Sequence, residues 1–112
     1  MKPETTEYRG ERADPSEGTT SPVTIWVDGV ELDIEPSREL REHSIEFNWG
    51  YGGSGPAQTA LAVLLDFTGD PDMAQRHYQA FKFEKVGAWD SEWNLSGRDL
   101  ARFLRKQAKK GR

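Results

Sequence analysis

Four glycines in six residues separate an aromatic run from an apolar one: Phe47-Asn48-Trp49-Gly50-Tyr51-Gly52-Gly53-Ser54-Gly55-Pro56-Ala57-Gln58. Gly50-x-Gly52-x-x-Gly55 satisfies G-x-G-x-x-G, and it lies between a strand-like run and a helix, as a nucleotide-binding turn would. A dinucleotide site also needs repeated βαβ units, whereas here helix follows helix with no later strand carrying a ribose-binding acid. No Lys-Ser or Lys-Thr follows the glycines, which excludes a P-loop. What survives is a helix N-terminus whose free amides, from Gly52, Gly53, Ser54 and Gly55, could hold an anion. The competing reading is tight packing of a turn that only glycine permits.

Ser54 sits between glycines as a nucleophile might, yet G-x-S-x-G requires glycine where Pro56 stands. His43 and His77 are the only imidazoles, and no motif links either of them to Ser54 with Asp66 or Asp70 as a triad. The acid pairs Asp70 with Asp72 and Glu39 with Glu42 have the spacing of caps and solvated surface, not of convergent carboxylates. There is no cysteine, so thiolate metal sites, disulfides and cysteine nucleophiles are excluded. No metal or other cofactor is called for. Gln58 is the unusual polar residue, because its neighbours are apolar. It either bonds back to an orphan amide of the glycine turn or faces a ligand.

Charge is distributed unevenly. The net charge is −4, but from Arg98 onward seven cations (Arg98, Arg102, Arg105, Lys106, Lys109, Lys110, Arg112) face Asp99 alone. That segment carries +6 and the remainder −10, a basic end on an acidic body. Cations in the last turns of a helix complement its dipole. The same cations could bind nucleic acid or an acidic partner, although no aromatic residue is interleaved after Phe103.

Elements able to position these groups follow from patterning. Residues 1–22 are rich in Glu, Thr, Ser, Pro and Gly and read as a flexible lead, with Tyr8-Arg9-Gly10 as a potential short edge strand. Val23 to Val27, Asp28-Gly29 and Val30 to Ile34 read as a β-hairpin with a type I′ turn. Val23, Ile25 and Val27 then share a face and leave Trp26 on the other, exposed unless the N-terminal segment covers it. Ile45, Phe47, Trp49 and Tyr51 alternate as one face of an extended strand, a row more typical of core than of a base-stacking platform.

After Pro56 the sequence is apolar nearly all round through Phe67, as expected of a central helix. Thr68-Gly69 ends it, and Asp70-Pro71 starts a second helix that should pack back on the first. Ala74, Tyr78 and Phe81 form one stripe of that helix, and Phe83 with Val86 a neighbouring one. Trp93-Asn94-Leu95 is extended. Ser96-Gly97-Arg98-Asp99 has capping-box spacing ahead of a third, amphipathic helix with Leu100, Phe103, Leu104 and Ala108 on its apolar side.

The glycine string, with Tyr8-Arg9-Gly10 and His43-Ser44 before it and Phe81 to Val86 and Trp93-x-Leu95 after it, resembles an uncharacterised domain-of-unknown-function family of bacteria, archaea and their phages. The resemblance runs from Tyr8 to Leu104. It departs at Asn48, where an acid is expected, at Thr59, where leucine is expected, and in the lysine-rich end. The resemblance implies an accessory protein of mobile elements and carries over no catalytic residue.

The whole reads as an α+β protein: a small antiparallel sheet of hairpin and aromatic strand against about three helices. Residues 23–108 form the single domain, and 109–112 a basic tail. Of 112 residues, 11% are aromatic, four of them Trp, which supplies core despite a mean hydropathy of −0.81. No segment approaches a membrane span, and the N-terminus lacks an apolar signal core, so the expectation is a soluble cytoplasmic protein. The expected function is that of a non-catalytic binding module with a protein partner. Nucleic-acid binding through the basic helix and an anion site or small hydrolase at the glycine turn are the alternatives.

Overall fold

Asp28 and Gly29 adopt φ of 49° and 81°, so both central residues of the hairpin turn are left-handed. That is the type I′ geometry expected of Asp-Gly. The turn joins β2 (Val23–Val27) to β3 (Val30–Glu31). The pairing is shorter than the alternation predicts: Leu32 still donates its amide to Ile25 O at 2.8 Å, but Ile34 has already left for α1 (Glu35–Leu40). The computed structural model describes residues 1–110, so Arg112 and the end of the basic tail lie outside the described residues.

The largest departure from expectation is at the N-terminus. Glu7–Arg12 forms β1, an interior strand between β2 and β4 (Glu92–Ser96) in an antiparallel sheet of order β3-β2-β1-β4. Tyr8 is fully buried, and its hydroxyl donates to Asp66 Oδ2 at 2.7 Å. Burial first, and that hydrogen bond second, push the phenol's pKa far upward. Lys2 adds an ion pair to Asp66 at 2.9 Å, and its amide donates to Phe67 O. The inward positions Tyr8, Gly10 and Arg12 carry one large apolar side chain among them, too little to signal an interior strand.

Its inner-face neighbours are set by register: Tyr8 opposes Val27 and Leu95, while Gly10 opposes Ile25 and Trp93. The Trp93 indole occupies the space that a side chain at position 10 would need. Trp89 stacks on it with centroids 3.9 Å apart, and Trp49 meets it edge-on at 5.4 Å. The expected extended piece at Trp93 is therefore a strand of the sheet, wedged into an aromatic cluster.

The apolar run after the glycines is α2 (Ser54–Thr68), with Leu61, Val63, Leu64 and Phe67 at zero exposure. Each fully buried side chain of this size contributes about 1.5–3 kcal/mol. Gly69 closes α2 in the left-handed conformation, and Asp70 accepts the amides of Asp72 and Met73 to start α3 (Pro71–Glu84). The two-residue link folds α3 back on α2 as expected. Ala74, Tyr78 and Phe81 face inward, but Phe83 is 74% exposed and does not join Val86, which is buried in the following 3-10 turn.

The capping box forms at α4 (Gly97–Lys110): Asp99 N donates to Ser96 Oγ and Ser96 N to Asp99 Oδ2. The Ser96 amide first, and the Ser96 side chain after it, hold the Asp99 carboxyl below its ordinary pKa.

The other correction concerns the aromatic segment. Ile45 to Tyr51 alternates like a strand, yet it forms none and lies outside the sheet. Only Trp49 of the row is buried; Phe47 is half-buried, and Ile45 and Tyr51 are exposed.

Gly10→Ala tests the wedge at the sheet. An added methyl must displace an indole stacked on Trp89, and overpacking of this kind costs about 1–3 kcal/mol. Urea denaturation should show a loss in that range, with the Trp fluorescence of the native state altered.

Candidate functional site

Segment 43–50 sits on α2 without a sheet to pair with, so its backbone polar groups must find other partners. They find side chains. Gln58 Oε1 accepts the amides of His43 at 2.7 Å and Ser44 at 3.1 Å, and its Nε2 donates to Ser37 Oγ at 2.8 Å. Thr59 Oγ1 accepts from Asn48 N at 3.0 Å and donates to Asn48 O at 2.7 Å. Both side chains are completely buried on the otherwise apolar α2. Gln58 thus orders the loop before the aromatic row and does not bond back to the glycine turn.

Arg12 completes the arrangement from β1. It is 94% buried, donates from Nη1 to Asn48 Oδ1 at 2.8 Å and from Nη2 to Trp49 O at 2.6 Å, and lies 5.2 Å from the Trp49 ring centre. Asn48 Nδ2 reaches Thr19 O, tying in the 3-10 turn Pro15–Thr20. Positions 48 and 59 are thus direct partners. Arg12 was not among the residues singled out by sequence; a cation at an inward position of an alternating stretch is the signal that could have found it.

The glycine turn is filled by its own neighbours. Gly50 needs its φ of 86° and donates its amide to Val86 O. A Cβ on Gly53 would meet the Tyr51 ring at 2.8 Å, and one on Gly55 would meet Asn48 Cβ at 2.6 Å and the Tyr51 hydroxyl at 3.0 Å. Gly52 has open space around it, and Ser54 is exposed in the first turn of α2.

The groups of a hydrolytic triad are committed elsewhere. Asp66 is held by Tyr8 and Lys2, Asp70 caps α3, and His43 Nε2 shares a 2.8 Å hydrogen bond with the Tyr78 hydroxyl. His77 lies on α3 beside Leu104 and Ala108 of α4. Among the described residues no cluster of His and carboxylates is placed to hold a metal ion.

Trp26 is half-buried on the outer face of the sheet, where Arg9 from β1 stacks over its ring at 4.1 Å. The N-terminal segment therefore shields it through one guanidinium. On α4, Arg98, Arg102, Arg105, Lys106, Lys109 and Lys110 all lie at the surface. Arg98 comes within 4.0 Å of Glu4, and Lys110 pairs with Glu84 at 3.0 Å, which lowers the pKa of that carboxyl.

One unfilled volume lies elsewhere, among residues that sequence reasoning treated as structural. A hollow of about 400 Å3 opens between the end of the hairpin and the start of the aromatic segment, with Val23, Leu32, Ile45 and Phe47 as its apolar lining and Glu31, Asp33 and Glu46 at its polar positions. Ile45 is 68% exposed. The strand-like alternation concealed this, because it assigned Ile45 to a buried row.

Gln58→Leu preserves volume but leaves two amides without their acceptor, at about 1–3 kcal/mol each. Denaturation should show a loss of about 2–5 kcal/mol, and the His43 and Ser44 amides should exchange faster. Burial, aided by Arg41 and Lys82 at His43 and by Arg76 at His77, lowers both imidazole pKa values below 6.5. A base depressed on folding stabilises the fold fully above its unfolded pKa and loses that contribution as pH falls through the folded value. The urea midpoint should therefore drop on going from about pH 7 to about pH 5, and the drop should shrink in His43→Gln.

No curated protein and no solved structure matches the chain. A family model does match, across residues 8–106, and so takes in the interior strand, the aromatic segment, the glycine turn and most of α4. The chain belongs to DUF6166, a family of unknown function.

Proposed function

We propose that this chain is a non-catalytic binding module of the cytoplasm, an accessory protein that engages a protein partner through the hollow beside Ile45. The observation carrying this reading is an aliphatic side chain left largely in water at the mouth of an apolar-lined hollow. Contiguous apolar surface rimmed by polar groups is the usual form of a contact surface, and Ile45 adjoins Val23, Leu32 and Phe47 here. The glycine turn is accounted for by Tyr51 and Asn48, so the architecture around it needs no ligand.

Site-specific photo-crosslinking in cells tests this reading. A photoreactive residue at position 45 should trap a discrete protein species, whereas one at Gln79, exposed on α3, should not. Equal labelling at both positions, or none at 45, overturns the proposal.

A second reading is favoured by α4. Arg98, Arg102, Arg105 and Lys109 follow one another at helical spacing, a stripe about 17 Å long. Arg102, Arg105, Lys106 and Lys109 have no ion pair among the described residues. If this stripe binds nucleic acid, affinity must fall steeply with salt, with a log–log slope of about −0.9 per phosphate contacted on duplex DNA. Arg102→Ala with Arg105→Ala should reduce the slope by about two. An affinity independent of salt removes the reading.

A further inference from the structure

We infer that the binding surface takes a cationic amphipathic segment of its partner, one that combines lysine or arginine with large aliphatic side chains. This rests on the reading of the chain as a protein-binding module. Three hollows, of about 400, 300 and 390 Å3, have Leu32 and Asp33 as a common wall. They adjoin one another around these two residues as a segmented trough, with Pro22 and Ile45 lining one hollow and Ala62 and Leu65 of α2 another. A trough of that form suits a length of polypeptide better than a compact metabolite.

Its charge is one-sided. Asp28, Glu31, Asp33, Glu46 and Asp66 line it, against Lys2 alone. Lys2 is already bound to Asp66, while Asp28 and Asp33 accept the backbone amides of Glu7 and Glu35 at 2.8 and 2.9 Å. Glu31 and Glu46 make no ion pair among the described residues. The trough thus offers an apolar floor with unneutralised carboxylates at the rim. Complementary charge would steer a basic segment to it and fix its register, while aliphatic side chains would supply the buried area.

A second copy of this chain fits poorly. Its own cationic amphipathic element is α4, but Leu100, Ala101 and Phe103 are buried within the fold. Another copy would bring cations without aliphatic groups to fill the floor. Nucleic acid would meet carboxylates and be repelled.

The test uses the isotope-labelled full chain, titrated with a synthetic amphipathic lysine–leucine peptide of about 14 residues, roughly four helical turns. A peptide with glutamate for each lysine is the control. The lysine peptide should shift the amide signals of Leu32, Asp33 and Ile45 to Asn48, and the glutamate peptide should not. Glu31→Lys with Glu46→Lys should weaken binding about tenfold or more, as should raising salt from about 0.15 to about 0.5 M. Both carboxylates are exposed, so the variant should remain folded. Shifts confined to other residues, equal response to both peptides, indifference to the double substitution, or concentration-dependent self-association that shifts these same signals would each overturn the inference. A protein trapped at position 45 without any response to the lysine peptide removes the chemistry assigned here and leaves the module reading intact. A response without trapping does the reverse.

Discussion

A polypeptide segment laid against a helix outside any sheet must satisfy its amides and carbonyls some other way. In this protein that obligation falls on side chains: Ser44 and Asn48 within the segment accept from Glu46 N and Trp49 N, and three from other elements do the rest. Gln58 and Thr59 from α2 and Arg12 from β1 act for residues 43–49 as a neighbouring strand would, with hydrogen bonds of 2.6 to 3.1 Å. The rest follows from that substitution. Because Asn48 and Trp49 are fixed, Trp49 can be driven fully into the core against Trp93. Because side chains and not a paired strand satisfy this backbone, Ile45 and Phe47 border a hollow instead of being covered by another strand.

Arg12 illustrates how a buried cation is tolerated without a carboxylate. Its desolvation is offset by two oxygen acceptors and the face of an indole, with Asn48 Oδ1 standing where an acid would have made an ion pair. The polar knot also joins pieces distant in sequence: the first strand, the 3-10 turn at Thr19, the aromatic segment and the central helix. Gly50 to Gly55 then lets Tyr51 and Asn48 lie close to the start of α2, so the turn and the knot are parts of one packing problem.

Much of this architecture was legible in the sequence where local chemistry decides it. Asp28-Gly29, Gly69, Asp70-Pro71 and the Ser96 to Asp99 box each impose a backbone geometry within a few residues, and each formed. The α+β composition and the central helix followed from apolar periodicity. What could not be read was pairing between distant segments. Tyr8 and Trp93 belong to adjacent strands, but nothing near either residue says so. The alternation from Ile45 to Tyr51 misled because period two reports which side chains point the same way, not whether a hydrogen-bonding neighbour exists. The informative residues were Gln58 and Thr59, two polar groups in a helix otherwise buried all round. For the same reason the hollow was invisible: its walls come from the end of the 3-10 turn, the hairpin and the aromatic segment together.

The interior position of β1 has a bearing on how the molecule assembles. The strand made earliest must wait for β4, among the last elements to be synthesised, before its second edge is covered. Covering that edge is a long-range event, of the kind that slows folding. The backbone clasp between Thr6 and Gly97 and between Glu4 and Arg98 ties together the same two distant segments, so the pairing that completes the sheet also fixes where α4 begins.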